Sequence, residues 1–317
     1  MRTCLVTGGA GFIGSHLVSA LVARGDRVRV LDDFSTGSPE NLDAVAGQVD
    51  VIEGDIVDPD TVHRAMSGVQ VVFHQAALAS VPRSVANPLA THRACVDGTL
   101  NILLAARNAG VRRVVYAASS SAYGNSARLP KSEEDPTSPL SPYAVAKLAG
   151  EQYCAAFSEV YGLQTVRLRY FNVFGPRQTP DSPYAAVIPL FLQAMTQGKS
   201  PTVHGDGQQS RDFTYVADVV QANLKAAEAT GVSGRVYNVA GGRRVSLLNL
   251  IRLLNEILGT SIGPEFVPSR PGDVKHSQAD ISRAVAELGY RPTTDIREGL
   301  EHCLEWFRSR TEQLVSV

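Results

Sequence analysis

A tyrosine and a lysine stand at i and i+4 in Tyr143-Ala144-Val145-Ala146-Lys147, a spacing that puts both side chains on one face of a helix. A free tyrosine, with a pKa of about 10, is too weakly acidic to serve as a base at neutral pH. A nearby ammonium, joined by the positive charge of an oxidised nicotinamide, favours the phenolate. So arranged, Tyr143 can take a proton from an alcohol while a hydride leaves the same carbon. Upstream lies Ala117-Ala118-Ser119-Ser120-Ser121-Ala122-Tyr123-Gly124. It follows an apolar strand, so Ser119 falls at the carboxyl edge where doubly wound sheets bind ligands, and its hydroxyl is suited to hydrogen-bond the reacting oxygen.

A second group of residues is suited to a dinucleotide. In Thr7-Gly8-Gly9-Ala10-Gly11-Phe12-Ile13-Gly14, the glycines at 8, 11 and 14 follow a strand and open a helix. Glycine permits the tight turn, the close approach of a pyrophosphate and the packing of helix on strand. The anion then sits on the helix N-terminus, where free N–H groups and the dipole favour it. Asp32 ends the next strand at the spacing of a ribose-binding acid. No Arg or Lys occurs in Asp32-Asp33-Phe34-Ser35-Thr36-Gly37-Ser38-Pro39 to hold a 2′-phosphate, so the expected cofactor is NAD and not NADP. Asp55, in Gly54-Asp55-Ile56, either meets the adenine amino group or caps a helix.

The elements that must position these groups alternate. Strands are expected at Thr3–Thr7, Arg27–Asp32, Val49–Gly54, Val69–His74, Val114–Ser119 and Gln164–Tyr170. Helices are expected at Phe12–Ala23, near Thr61–Met66, over Pro88–Ala109 as one long stretch, and at Tyr143–Tyr161. Apolar strands separated by helices predict an α/β fold, a doubly wound parallel sheet. After about Asn172 come segments rich in Pro, Gly and Asp, with helical stretches at Ala186–Gln197, Tyr215–Thr230, Ser246–Leu258 and Ile296–Arg308. This predicts a nucleotide-binding domain over 1–171, with segments near 214–242 returning to it, and a smaller substrate-binding lobe over 172–317.

Composition narrows the function classes. The 317 residues carry 30 Lys+Arg and 31 Asp+Glu, a net charge of −1, without the basic excess of a nucleic-acid or membrane-surface binder. No apolar run reaches membrane-spanning length, and the first strand opens almost at Met1; a cytoplasmic protein without a leader is expected. Cys4, Cys95, Cys154 and Cys303 lie far apart and the seven histidines are scattered, so neither a disulfide framework nor a metal site is expected.

The chain resembles the extended short-chain dehydrogenase/reductase superfamily over nearly its whole length, and within it the UDP-glucose and UDP-N-acetylglucosamine 4-epimerases. The runs that carry the resemblance are TGGAGFIGSH (Thr7–His16), HQAALASVPRSV (His74–Val85), YAASSSAYG (Tyr116–Gly124), SPYAVAK (Ser141–Lys147), RYFNVFGPRQ (Arg169–Gln178), GDGQQSRDFTYV (Gly205–Val216) and RPGDVKHSQAD (Arg270–Asp280). The resemblance implies a Rossmann domain and catalysis by Ser119, Tyr143 and Lys147. It implies NAD contacts from Gly8, Gly11, Phe12, Ile13, Gly14, Asp32, Asp33, Ser35, Thr36, Gly37, Asp55, Ile56, Gln75, Ala76, Ala77 and Tyr170, besides Tyr143 and Lys147. A UDP-sugar would meet Ser80, Ser119, Ser121, Tyr143, Asn172, Ala186, Val187, Arg211, Arg270, Asp273 and Ser277. Ser277 stands where epimerases confined to UDP-glucose and UDP-galactose commonly carry a bulky Tyr, so room for an N-acetyl group is expected. The family usually has Asn where this chain has Cys95. A homodimer is implied, built as a four-helix bundle from the helices near Pro88–Ala109 and Tyr143–Tyr161. The carboxylates of dehydratases and decarboxylases are missing at Ser120, Ser121 and Ala122. UDP-glucuronate 4-epimerisation, with Arg83 or Arg177 facing the carboxylate, is the alternative; a nucleotide-sugar sensor without turnover is another.

Overall fold

A computed structural model describes residues 1–180, 185–269 and 275–315. The chain runs β1 (Thr3–Thr7), α1 (Phe12–Ala23), β2 (Arg27–Asp32), β3 (Val49–Glu53), α2 (Pro59–Met66), β4 (Val71–His74), α3 (Val81–Ala86), α4 (Pro88–His92), α5 (Gly98–Asn108), β5 (Arg113–Ser119), α6 (Pro142–Tyr161) and β6 (Gln164–Tyr170). It continues through β7 (Val173–Phe174), α7 (Val187–Thr196), β8 (Thr202–His204), β9 (Ser210–Asp212), β10 (Thr214–Tyr215), α8 (Val216–Glu228), β11 (Arg235–Val239), β12 (Arg244–Ser246), α9 (Leu247–Leu258), β13 (Glu265–Val267) and α10 (Ile296–Val315).

Seven of these strands form one sheet in the order β11-β6-β5-β4-β1-β2-β3, every pair parallel. Side-chain alternation divides the apolar residues between its two faces. Cys4 and Val6 of β1, Val71 and Phe73 of β4, and Val115 and Ala117 of β5 pack with Leu17, Leu21, Val219 and Ala222 of α1 and α8. Leu5, Val72, Val114 and Tyr116 pack on the opposite face with Val62, Ile102, Leu103 and Phe157 of α2, α5 and α6. Burial on both faces is what makes these strands continuously apolar. A third core joins Ile188, Phe191 and Leu192 of α7, Leu250 and Leu254 of α9, and Leu300 and Leu304 of α10. β11, arriving late in the chain, completes the sheet beside β6.

The stretch expected over Pro88–Ala109 is helical from Pro88 to Asn108, and a separate short helix, α3, precedes it. Pro82 and Pro88 lack the N–H that would continue a preceding helix; each instead sits in the first turn of a new one, α3 and α4. Asn87 caps the second by accepting from the Ala90 N–H at 3.1 Å. A π-turn over Arg93–Asp97 joins α4 to α5 with helical backbone throughout. It turns Cys95 inward, where it is buried, and seats Gly98 so tightly on Ile56 that a Cβ there would lie 2.6 Å from its side chain. Asn101 donates to the carbonyls of Ile56 and Val57 at 3.1 and 3.0 Å. The C-terminal helix extends past the expected Arg308 to Val315. The short strands β7–β10, β12 and β13 were not expected.

Two buried polar groups tie the sheet to its helices. Glu151 of α6 accepts from two of the three guanidinium nitrogens of Arg169 of β6, Nε at 2.9 Å and Nη2 at 2.7 Å. His74, at the end of β4, lies between the hydroxyls of Thr7 of β1 (2.7 Å from Nδ1) and Thr99 of α5 (3.0 Å from Nε2). Burial, reinforced by the Lys147 ammonium, lowers its pKa from 6.5 to about 3. Burial also lowers that of His16, to about 4. Such a group stays neutral in the folded protein while the unfolded chain takes up a proton. Its stabilisation is complete above the unfolded pKa and is lost as pH falls from 6.5 toward 3. Urea unfolding between pH 6 and 4 is therefore expected to show a stability slope shallower in His74→Asn than in the unsubstituted protein by about 1.4 kcal/mol per pH unit.

Candidate active site

The carboxyl ends of the sheet strands open into a cleft of about 730 Å³. At its floor the loop after β1 turns through Gly8, whose φ of +67° is left-handed and favours glycine. A Cβ on Gly8 would lie 2.7 Å from the Ala76 nitrogen, and one on Gly14 only 1.9 Å from the Gly8 carbonyl. Two chain segments and the start of α1 thus meet with backbone against backbone. The N-cap of α1 is Gly11, which has no side chain to satisfy the first turn. Phe12, Ile13 and Gly14, whose N–H groups have no intrahelical partner, line the cleft. Asp32, 6% exposed, accepts from the Ala10 N–H at 2.9 Å and the Phe34 N–H at 2.9 Å. It ties the end of β2 to the glycine turn, and burial raises its carboxyl above the usual range.

The reacting groups come from β5 and α6. The Ser119 hydroxyl accepts from the Ser121 N–H at 3.2 Å and from the Ser121 hydroxyl at 2.8 Å. The Ser119 hydroxyl also acts on the Tyr143 phenol, in the direction that favours the phenolate. Ser141 caps α6 by accepting from the Ala144 N–H at 3.2 Å, which orients the first turn bearing Tyr143. One turn on, Lys147 is 4% exposed, its ammonium 4.6 Å from the centroid of the Tyr116 ring. The Tyr116 hydroxyl donates to the Lys147 carbonyl at 3.1 Å. Burial pushes Tyr143 up, joined by the neighbouring Cys95, and pushes Lys147 down. Each group is thereby moved toward its neutral form until a ligand brings compensating charge. Cys95 itself is raised by burial, with the Lys147 ammonium and the Leu78 backbone acting against it.

Of the residues singled out in the sequence, the cleft wall contains Gly8, Gly11, Phe12, Ile13, Gly14, Asp32, Asp33, Ser35, Thr36, Asp55, Ile56, Gln75, Ala76, Ala77, Ser119, Ser121, Tyr143, Lys147, Tyr170, Asn172, Ala186, Arg211 and Ser277. Gly37 lies behind it, where a Cβ would press on the Ala10 backbone at 2.9 Å. Ser80 caps α3, accepting from the Arg83 N–H at 3.2 Å, and Val187 opens α7; neither lines the cleft. Arg270 and Asp273 lie outside the described residues. Asp55 accepts from the Val57 N–H at 2.9 Å as well as lining the cleft. Asn172 has a φ of +29°, backbone strain of the kind held at functional sites. Sequence reasoning missed Tyr123, Lys131 and Gln178, which also line the cleft. Tyr123 had a local signal, standing one turn past Ser119, while Lys131 had none. No group of three or more His, Cys, Asp or Glu suited to a metal occurs among the described residues. No helix among them is long and apolar enough to cross a membrane.

Comparison with known proteins agrees with this geometry. The profile of the NAD-dependent epimerase/dehydratase family matches residues 4–240. A UDP-glucose 4-epimerase of Mycolicibacterium smegmatis is 40% identical, the match covering 98% of this chain and 100% of that protein. The structure of a UDP-N-acetylglucosamine 4-epimerase from Methanobrevibacter ruminantium, in complex with UDP-N-acetylmuramic acid, superposes with a TM-score of 0.93 at 41% identity, covering 98% and 99% of the two chains. A UDP-glucuronic acid 4-epimerase from Bacillus cereus, with UDP-glucuronic acid and NAD, superposes with a TM-score of 0.91 at 33% identity, covering 98% and 100%. The chain belongs to the NAD-dependent epimerase/dehydratase family. The glycine cradle, the open first turn of α1 and the Asp32 carboxylate fit its cofactor, NAD. Gly14→Ala, which forces a side chain into the Gly8 carbonyl, is expected to weaken NAD binding by on the order of 100-fold in calorimetric titration.

Proposed function

We propose that this protein is a UDP-sugar 4-epimerase that interconverts UDP-GlcNAc with UDP-GalNAc, and UDP-glucose with UDP-galactose, through a transient 4-keto sugar. The observation that carries the reading is that Ser119, Tyr143 and Lys147 line the same cleft as the small Ser277. NAD, when bound, supplies reversible acceptance of a hydride. Tyr143 takes the proton of the sugar 4-hydroxyl and returns it. Ser119 holds the oxygen between them, and the Lys147 ammonium favours the phenolate. Asn172 and Arg211, on the cleft wall, face the UDP diphosphate. Arg270 and Asp273 are assigned the diphosphate and the uridine ribose on the strength of the resemblance. Ser277 presents a single hydroxymethyl group to the C2 substituent, which supports acceptance of the acetylated sugar.

Among the described residues, the cations lining the cleft are Lys131, Lys147 and Arg211. Arg83 and Arg177, the groups considered for a glucuronate carboxylate, do not line it. Arg177 reaches the Ser19 hydroxyl of α1 at 3.5 Å. That distribution favours neutral hexoses over the uronate.

We also propose that the protein is a homodimer. Val85, Leu89, Leu140 and Val145 are 66%, 59%, 57% and 53% exposed. They lie on or beside α3, α4 and α6, around a shallow apolar depression bordered by Val96, Ala146 and Ala149. A second copy of the same helices offers a matching apolar face.

Incubation with UDP-GlcNAc, UDP-glucose or UDP-glucuronate, with no added NAD, is expected to yield UDP-GalNAc and UDP-galactose by NMR. Formation of UDP-galacturonate alone overturns the substrate assignment. Tyr143→Phe is expected to lower kcat by about 10²–10⁴-fold while leaving UDP-sugar affinity in place. Light scattering is expected to give a dimer for the protein and a monomer for Leu140→Asp/Val145→Asp.

A further inference from the structure

Ser277 reaches the cleft on a strap, Lys275–Asp280, that belongs to no helix or long strand, and the strap is pinned along both edges. On one side, Ser210 of β9 donates its N–H to the Lys275 carbonyl at 2.9 Å and accepts the Ser277 N–H at 3.0 Å. The Ser210 hydroxyl meets His276 Nδ1 at 2.8 Å. On the other side, Lys131 donates its N–H to the Gln278 carbonyl at 2.7 Å and accepts the Asp280 N–H at 2.8 Å. The Asp212 carboxylate takes the Ala279 N–H at 3.0 Å.

One side chain joins this strap to the catalytic loop. Asn238 of β11 is fully buried. Its amide nitrogen donates to the Asp280 carbonyl at 3.1 Å and to the Lys131 carbonyl at 2.9 Å, so it grips the strap and its neighbour together. Its amide oxygen accepts from the Tyr123 hydroxyl at 2.7 Å. Tyr123 belongs to the turn Ser120–Tyr123 that Ser119 caps, and its ring is held under the Arg169 guanidinium at 4.6 Å. Arg169 is in turn clamped by Glu151 on α6, the helix that carries Tyr143 and Lys147. Both Tyr123 and Ser277 face the cleft.

We propose that Asn238 is a specificity-positioning residue: through Tyr123 on one side and Asp280 on the other, it fixes the distance between the catalytic serine turn and the strap that carries Ser277. That distance sets the room for the substituent at sugar C2. The inference rests on the UDP-hexose reading above, and it makes the size of residue 277 decisive only while the strap behind it cannot yield. A loose strap would let even a bulky residue at 277 move aside.

The test is a double-mutant cycle read by calorimetric affinity for UDP-GlcNAc and UDP-glucose in the NAD-loaded protein. Ser277→Tyr alone is expected to weaken UDP-GlcNAc selectively. In Asn238→Ala, and in Tyr123→Phe, which removes one hydroxyl and keeps the ring, that selectivity is expected to shrink by on the order of tenfold. In Asn238→Ala, UDP affinity and NAD retention are expected to stay as they are. Equal selectivity of Ser277→Tyr in all three backgrounds overturns the coupling. So does a parallel loss of UDP and NAD affinity, which marks general loosening. Because the cycle reads binding, absence of turnover with either sugar in the unsubstituted protein strikes only the epimerase reading; absence of affinity for both sugars strikes both.

Discussion

The backbone of the loop after β1 touches that of the loop after β4, and everything the cleft does depends on this contact. Gly8 lies against Ala76, and Gly14 against the Gly8 carbonyl, at distances no side chain permits. The contact exists because strand order reverses at β1, which has β2 on one side and β4 on the other. The connections leaving β1 and β4 diverge, and a crevice opens above their carboxyl ends. β5 follows beside β4, so Ser119 emerges on the same sheet edge, with β4 between it and the glycine turn. α6 then returns across β5 and β6 to deliver Tyr143 and Lys147.

Electrostatically, the protein's own groups hold the reacting residues away from their working charges. Burial raises Tyr143 and lowers Lys147, while the Ser119 hydroxyl and the Tyr116 ring offer partial compensation. A ligand that brings a cation beside the phenol shifts the balance, so proton abstraction is tied to occupancy. The buried Glu151–Arg169 pair keeps α6 seated on β6, because separating it strips a buried charge of its hydrogen-bonded partner.

The half of the site that is local in sequence was legible there. Thr3–Thr7, Phe12–Ala23 and Arg27–Asp32 have the bounds expected from apolar periodicity and the glycine turn. Ser119, Tyr143 and Lys147 lie on elements whose type their neighbours dictate. The start of the Pro88–Ala109 helix was written in Pro88 and Asn87, but the π-turn at Cys95 depends on packing against α6 and Ile56, which no local pattern reports. The strap is the clearest case of what could not be read. Ser277, Lys131 and Asn238 are far apart in the chain and meet only because β9, β11 and the loop after β5 converge. Their hydrogen bonds use mostly backbone groups, which every residue carries. Short strands such as β7 and β10, two residues each, have no period to detect.

The position of β11 has a consequence for synthesis on the ribosome. Residues Thr3–Tyr170 supply six of the seven sheet strands, yet the outer edge of β6 stays unpaired until Arg235–Val239 has emerged. In the interval the nascent chain carries a buried-type strand, Gln164–Tyr170, with its hydrogen-bonding edge open, the arrangement that invites pairing with another chain. Chains that terminate between β6 and β11 keep that edge permanently. Completing the sheet thus makes escape from aggregation a late event, shared with the lobe that will receive the sugar.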